Sequence, residues 1–333
     1  MARIVVTRQI PDPGIELLTG AGELWVSPHD RALSVEELHD AVLGADAVVA
    51  LLHDRIDDAL FEAAGPQLRV VANVAVGYDN VDVPAATRRG VLITNTPGVL
   101  TDATADLTIA LMLMVTRRLA EGERLIRARA PWRWNMFMML GSGIQGKTLG
   151  IVGLGAIGQA TARRARAFGM RIAYAQRSRA SERVEAELGG VRRMPLEELL
   201  ATADVVSLHC PLTDQTRHLI DAKRLRSMKR TAFLVNTSRG PVIDEAALAL
   251  ALADGAIAGA ALDVFEREPE VDKGLLALDN VVLVPHLGSA TIETRGAMAE
   301  LAARNVLAVL AGEPPPTPVN AADLRAGSGA DGR

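Results

Sequence analysis

Lys147-Thr-Leu-Gly-Ile-Val-Gly153-Leu-Gly155-Ala-Ile-Gly158 is the stretch on which the fold turns. It reads as a short apolar strand, Leu149 to Val152, running into Gly-x-Gly-x-x-Gly. A helix follows, signalled by the Ala/Arg-rich run from Gln159 to Phe168. The three glycines have different tasks. Gly153 permits a tight turn out of the strand, Gly155 has no side chain to hold a pyrophosphate away from the backbone, and Gly158 lets helix and strand pack closely. The first amides of the helix, at the positive end of its dipole, favour phosphate charge. The spacing of the glycines is weak evidence by itself. The strand before it, the helix after it and a second apolar strand, Ile172 to Ala175, supply the context that dinucleotide binding requires.

The ribose end of such a site is read after the second strand. A cofactor without a 2′-phosphate is usually held there by Asp or Glu. Here Gln176 takes that place, followed by Arg177, Ser178 and Arg179. A carboxylate would repel a 2′-phosphate, whereas two guanidinium groups and a hydroxyl offer it charge-assisted hydrogen bonds. The run therefore favours NADP(H) over NAD(H), with solvated loop charges as the plainer reading of the two arginines.

Outward from the glycine loop the chain alternates strand and helix. On the N-terminal side the expected strands are Ile4 to Thr7, Leu24 to Val26, Ala47 to Leu52, Val70 to Val74 and Val91 to Thr94. Ser34-Val-Glu-Glu37 has the spacing of a helix capping box. Asn95-Thr-Pro97-Gly98 breaks the pattern, and a long helix is expected from Asp102 through Arg118 and beyond. On the C-terminal side the expected strands are Val205 to His209, Ala232 to Asn236, Gly259 to Val264 and Val281 to Pro285, with a helix from Ser289 through Leu310. Near-continuous apolar strands alternating with helices mean parallel sheets covered on both faces. Between the halves, Arg127 to Gly146 is irregular and carries Trp132, Trp134, Phe137 and several methionines. It reads as a lid over the core or as an exposed patch that needs a partner.

The 333 residues are enough for about two domains. A net charge of −4 gives no global basic field for nucleic acid. A single cysteine, Cys210, excludes an intramolecular disulfide. The start of the chain lacks the apolar segment of a signal peptide, and no run approaches a membrane span. A cytoplasmic α/β protein without a membrane segment is expected. No His/Cys cluster has the spacing of metal ligands, so no catalytic metal is expected.

Ligands of open parallel sheets lie outside the carboxyl ends of the strands. That rule nominates Cys210, Pro211, the loop Asn236-Thr-Ser-Arg239-Gly240, Asp263 and His286. Hydride transfer to a carbonyl needs a proton donor, and a histidine suits neutral pH. A neighbouring carboxylate, Glu268, would orient the imidazole and favour its charged form. Arg239 could hold a substrate carboxylate and polarise the adjacent carbonyl. Taken singly, Arg239 is as readily a surface charge, Glu268 a turn residue before proline, and His286 a loop histidine. The remaining histidines, His29, His39, His53, His209 and His218, show no such partner pattern in the sequence.

The Gly-Leu-Gly-Ala-Ile-Gly loop, Asn-Thr-Ser-Arg-Gly, Asp-Val-Phe-Glu-Arg-Glu-Pro and Pro-His-Leu-Gly occur here in order, and together they resemble the signatures of the D-isomer-specific 2-hydroxyacid dehydrogenases. Ala75-Val-Gly-Tyr-Asp-Asn80 and the segment Asn95 to Asp106 are similar to the glyoxylate/hydroxypyruvate reductase branch. The resemblance runs along nearly the whole chain. It implies a Rossmann-type doubly wound sheet at 101–288 and a discontinuous, flavodoxin-like substrate domain at 1–100 and 289–320. The tail 321–333, rich in Gly, Ala and charge, reads from its composition as unstructured.

It also implies Arg239, Glu268 and His286 as the catalytic set, with substrate contacts from the amides of Val76 and Gly77 and from Leu52. Thr104 and the loop Gly153, Leu154, Gly155, Ala156, Ile157 would meet the cofactor phosphates. Cys210, Pro211 and Thr216 would flank the adenosine and Asp263 the nicotinamide amide, and Thr237 and Gly288 join the cofactor set. Trp134 matches a tryptophan that reaches the other subunit's pocket, which implies a homodimer. Met136 and Met138 depart from the proline and tryptophan frequent in relatives, which leaves substrate size open. The activity so implied is NADPH-dependent reduction of glyoxylate or hydroxypyruvate to the D-2-hydroxy acid. An NAD-linked enzyme of the D-3-phosphoglycerate or D-lactate type, or a dinucleotide sensor of the same fold, stands as the alternative.

Overall fold

The computed structural model of the protein describes residues 1–328. The chain forms two compact units, Met1–Leu100 with the chain from Thr291 onward, and Thr101–Ala290.

The first unit is built on five parallel strands, β1 (Arg3–Val6), β2 (Glu23–Val26), β3 (Ala47–Ala50), β4 (Val70–Asn73) and β5 (Leu92–Thr94). Their order is β2-β1-β3-β4-β5, the flavodoxin-like arrangement. Strands β3 and β4 are buried throughout, because helices cover both faces of the sheet. The helix Val35–Val42 opens with the expected capping box. Ser34 accepts the Glu37 amide and Glu37 accepts the Ser34 amide, a device that stabilises a helix start by about 1 kcal/mol. The helix Ile292–Leu310 returns to this unit and packs on the helix Asp12–Leu18. A methyl group on Gly14 would come within 2.8 Å of the Ala299 Cβ, so glycine sets how closely the two helices approach.

The second unit holds seven parallel strands. They are β6 (Thr148–Val152), β7 (Arg171–Ala175), β8 (Arg192–Arg193), β9 (Val205–Leu208), β10 (Phe233–Asn236), β11 (Gly259–Leu262) and β12 (Val281–Leu283). The order β12-β11-β10-β9-β6-β7-β8 is that of a Rossmann sheet extended by one strand, and the order reverses between β6 and β9. The register carries Val152 opposite Leu208, Leu208 opposite Asn236, Asn236 opposite Leu262, and Leu262 opposite Leu283. The carboxyl ends of five strands therefore lie level, and the loops that follow them share one edge.

The structure departs from the sequence reading at several places. Strand β8 is two exposed arginines, with no apolar run to announce it. The long helix stops at Thr116, and a second helix, Leu119–Arg127, follows Arg118 in the left-handed region (φ 55°). The chain returns at Ser142, whose amide donates to the Thr116 carbonyl at 2.7 Å and takes an acceptor that a continuing helix would need. Residues 321–328, expected as unstructured, form the helix Ala321–Ser328, and 329–333 lie outside the described residues. Among the described residues no helix is long and apolar enough to cross a membrane.

Candidate active site

The glycine loop has the geometry its spacing implies. Gly153 sits at φ 93°, and a Cβ there would stand 2.9 Å from the backbone of His209 and Cys210. A Cβ on Gly158 would meet the Gly153 carbonyl oxygen at 2.3 Å. Gly155 differs, because a Cβ there would meet nothing within 4 Å. It faces open space at the start of the helix Ala156–Ala167, with Ala156 exposed and Ile157 partly so. The space continues into a cavity of about 1180 Å³ bounded by Gly155, Gln176, Arg177, His209, Pro211 and Thr216. A level strand edge, helix amides and a side-chain-free approach fit a dinucleotide.

At the ribose end the side chains are more committed than the sequence implied. The Leu154 amide donates to Gln176 Oε1 at 2.9 Å. This fixes the amide orientation and leaves Gln176 Nε2 as a donor. Arg179 is bound to Glu185, with Nε at 3.0 Å and Nη2 at 2.7 Å from its oxygens. Tyr174 donates to the same carboxylate at 2.5 Å. The guanidinium beside it, first, and the phenol, second, hold the Glu185 carboxyl down at about 2. Arg179 is therefore not the unengaged second cation the sequence offered. Arg193 stands in its place. Its guanidinium donates to the carbonyls of Gln176 and Arg177 at 3.1 and 2.7 Å, and it borders the cavity with the exposed Arg177 and Ser178.

Burial pushes the Cys210 thiol up to about 11, so it lines the site as a neutral group. Burial also pushes His209 down to about 4. Thr216 donates to the Pro211 carbonyl at 2.7 Å and shapes the turn between them.

The nominated catalytic residues converge beyond β10, β11 and β12. Asn236, wholly buried at the end of β10, donates to the Arg239 carbonyl at 2.9 Å and accepts the Ser238 amide at 3.0 Å. That sets the loop from which Arg239 projects. The next residue must be glycine, since a Cβ on Gly240 would lie 1.9 Å from the Phe265 carbonyl carbon and oxygen. This close approach brings the Arg239 loop against the segment that carries Glu268.

One oxygen of Glu268 accepts the Phe265 amide at 3.0 Å, and the other lies 2.8 Å from His286 Nδ1. An ionised carboxylate only accepts, so Nδ1 carries the proton and Nε2 is the ring nitrogen left for other partners. His286 itself is left-handed, at φ 52°. Asp263 holds it there: its carbonyl accepts the His286 amide at 2.8 Å, and its carboxylate accepts the amides of Leu287 and Gly288 at 2.5 and 2.9 Å. Burial, at 1% exposure, pushes the Asp263 carboxyl up to about 6 against these donors. Beneath the loop, Thr104 donates to the Gly288 carbonyl at 3.0 Å, Thr108 donates to the Thr104 carbonyl at 2.8 Å, and the hydroxyls of Thr108 and Thr237 lie 2.9 Å apart.

Leu52, Val76 and Gly77 belong to the first unit. Asn95 and Asn73 donate to the carbonyls of Val76 and Gly77 at 2.8 and 2.9 Å, and the amides of both residues have no acceptor among the described residues. Asp54 holds the turn containing Leu52, taking the Leu51 amide at 2.8 Å and the Thr7 hydroxyl at 2.5 Å. Trp134 is 76% exposed and Phe137 83%, with Trp132, Met136 and Leu140 exposed beside them in the chain.

Several residues escaped the sequence reading. His218 does have a carboxylate partner, Glu266 Oε1, at 2.6 Å from Nε2. Glu266 stands beside Phe265 in a segment already singled out, but its partner is far away in the chain. Thr108 and Arg193 carried no spacing signal. Among the described residues no cluster of His, Cys, Asp and Glu is placed to hold a metal ion.

Residues 109–288 match the family described as D-isomer specific 2-hydroxyacid dehydrogenase, NAD binding domain. The chain is 52% identical over 323 residues to a glyoxylate reductase of Thermococcus kodakarensis, covering 96% of each. A crystal structure of a glyoxylate reductase from Paecilomyes thermophila superposes with a TM-score of 0.87 at 35% identity, over 96% of this chain and 98% of that one. An NADPH-dependent glyoxylate/hydroxypyruvate reductase of Sinorhizobium meliloti, in complex with NADP and malonate, gives 0.82 at 36% identity and 96% coverage of both chains.

Proposed function

Because the chain belongs to the D-isomer-specific 2-hydroxyacid dehydrogenases, in their glyoxylate reductase branch, we propose that it reduces glyoxylate and hydroxypyruvate with NADPH, yielding the D-2-hydroxy acid. The observation that carries the reading is the 2.8 Å pair of His286 Nδ1 and Glu268 beside the Arg239 loop. The bound nicotinamide supplies the hydride. His286 holds the proton at Nε2 and gives it to the substrate oxygen as charge develops there. Glu268 keeps the ring in one orientation and stabilises its charged form. Arg239 holds the substrate carboxylate and polarises the adjacent carbonyl. In the first unit, the amides of Val76 and Gly77 form a donor pair of the kind that takes a carboxylate.

The exposed Arg177, Arg193 and the Nε2 donor of Gln176 support the 2′-phosphate reading, with Ser178 beside them. One observation favours a second reading. Arg179 is neutralised by Glu185, which lowers the positive charge at the ribose end and lets NADH serve as well. The apolar excursion around Trp132, Trp134 and Phe137 supports association of two copies, and sedimentation at micromolar concentration tests it.

Initial rates with glyoxylate, hydroxypyruvate, pyruvate and 3-phosphohydroxypyruvate, each with NADPH and NADH, test the proposal. Fast NADPH oxidation with the first two is the expected result. A clear preference for NADH removes the 2′-phosphate reading alone. Cofactor binding without turnover of any of the four overturns the reductase and returns the sensor alternative.

A further inference from the structure

We infer that Glu245 is a positioning residue of this reaction: its buried carboxylate holds both ends of the segment that carries Glu268, and so keeps Glu268 on His286. The inference rests on the reading of Glu268 and His286 given above.

Glu245 begins the helix Glu245–Ala253 and is 6% exposed. Its two oxygens point away from its own helix. Oε2 accepts the Glu266 amide at 2.8 Å, and Oε1 accepts the Asp272 amide at 2.9 Å. The Glu245 amide in turn donates to Glu266 Oε2 at 3.2 Å. Residues 266 and 272 bracket Glu268. Between them the chain folds back once, where the Glu270 amide donates to the Arg267 carbonyl at 2.9 Å.

A carboxylate is costly to bury, and it is kept only where it is paired or hydrogen-bonded. An apolar side chain would fill the space at lower cost if packing were the sole need. What an ionised carboxylate offers, and an apolar group does not, is two charge-assisted acceptors on one rigid plane. Here that plane ties two amides six positions apart and fixes the mouth of the turn.

The position of the mouth matters because the turn is held from the other side by contacts that do not replace it. Phe265 lies against Gly240. Glu266 also reaches His218, whose amide donates to the Pro241 carbonyl at 2.7 Å. These contacts hold the start of the segment. Asp272, at its far end, is held to Glu245. Without Glu245 the segment loses its tether at Asp272, and the Phe265 amide and the histidine it is meant to orient stay among the partners of the Glu268 carboxylate.

The test is a double-mutant cycle with a spectroscopic readout. E245A, E268Q and E245A/E268Q are compared with the native enzyme in kcat, in NADPH affinity, and in the His286 Nδ1 proton resonance of the cofactor-free protein. Expected are a roughly 10- to 100-fold loss of kcat in E245A, as for a misplaced catalytic group, with NADPH affinity within about twofold. In the E268Q background, E245A should cost no more than about twofold. The Nδ1 resonance, held downfield while its bond to Glu268 persists, should be lost in E245A. If E245A does not fold, E245Q, of the same size and still accepting one of the two amides, decides on the same readouts.

Native-like kcat with an intact resonance in the Glu245 variant overturns the inference. So does an equal loss in both backgrounds, which would make Glu245 independent of Glu268. If E268Q and H286N themselves keep native rates, the catalytic reading has failed, and the inference falls with it.

Discussion

Replacing Gly240 with alanine should separate the two loops that carry Arg239 and Glu268 of the proposed catalytic set while leaving the cofactor loop alone. The backbone at Gly240 is not left-handed, so alanine could adopt it; what excludes a side chain is space. The added Cβ would lie 1.9 Å from the Phe265 carbonyl carbon and oxygen and 2.5 Å from the Glu266 nitrogen. Relaxed carbon contacts need roughly 3.5–4.0 Å, so one loop must move by about 1.5–2 Å. The obstructing atoms are backbone, and no side-chain rotation relieves the clash. Overpacking of this kind costs about 1–3 kcal/mol or more in stability.

The catalytic cost should be larger in proportion. A displacement of about 1 Å between reacting groups can cost about 100-fold, and this shift lies between Arg239 and Glu268. We expect kcat/KM for glyoxylate to fall at least about 100-fold. NADPH affinity should stay within about threefold, because Gly153 to Gly158 lie across the sheet on other strands. The assay is steady-state kinetics beside fluorescence titration of NADPH and urea unfolding. A G240A protein with native kcat/KM would refute the reasoning, since the loops would then tolerate a separation the account says they cannot.

G155A should do the opposite. Its Cβ meets only open space and its φ of −74° suits alanine, so urea unfolding should show stability unchanged or raised by about 0.4–1 kcal/mol, while NADPH affinity falls at least tenfold. Unchanged affinity would remove the pyrophosphate from that face. R177A and R193A should each weaken NADPH about 10- to 100-fold, the worth of a charge-assisted hydrogen bond, and leave NADH nearly unchanged; equal loss for both cofactors would contradict the 2′-phosphate reading. His209, at about 4 in the folded protein against an ordinary 6.5, stays neutral when folded but protonates when unfolded. Its contribution to stability is present above pH 6.5 and is lost as pH falls toward 4. H209Q should therefore remove about 2 kcal/mol of the stability lost between pH 7 and 5, read from urea midpoints at the two pH values.

The glycine fingerprint, most of the strands and the strand-end loops that carry Arg239, Glu268 and His286 were legible because their signals are local. A turn needs glycine at one place, and an apolar run next to a helical run is visible without neighbours. The second rank of residues was not legible, because its partners are distant in the chain. Glu245 serves amides at 266 and 272, and His218 meets Glu266 only once the strands are assembled. Arg179 was nominated for its charge, yet Glu185, one helical turn into the next element, takes that charge, and Arg193 comes forward from a strand with no apolar pattern. The break at Arg118 had neither glycine nor proline to mark it. It depends on Ser142 arriving to claim the Thr116 carbonyl.

The central claim is that His286 delivers the proton while the rest of the site binds. The measurement that tests it most directly is kcat for glyoxylate reduction and NADPH affinity in H286N, side by side with the native enzyme. The account predicts a kcat lower by about 100- to 10,000-fold, the range for loss of a general acid, at nearly unchanged NADPH affinity. Native kcat in H286N would contradict it.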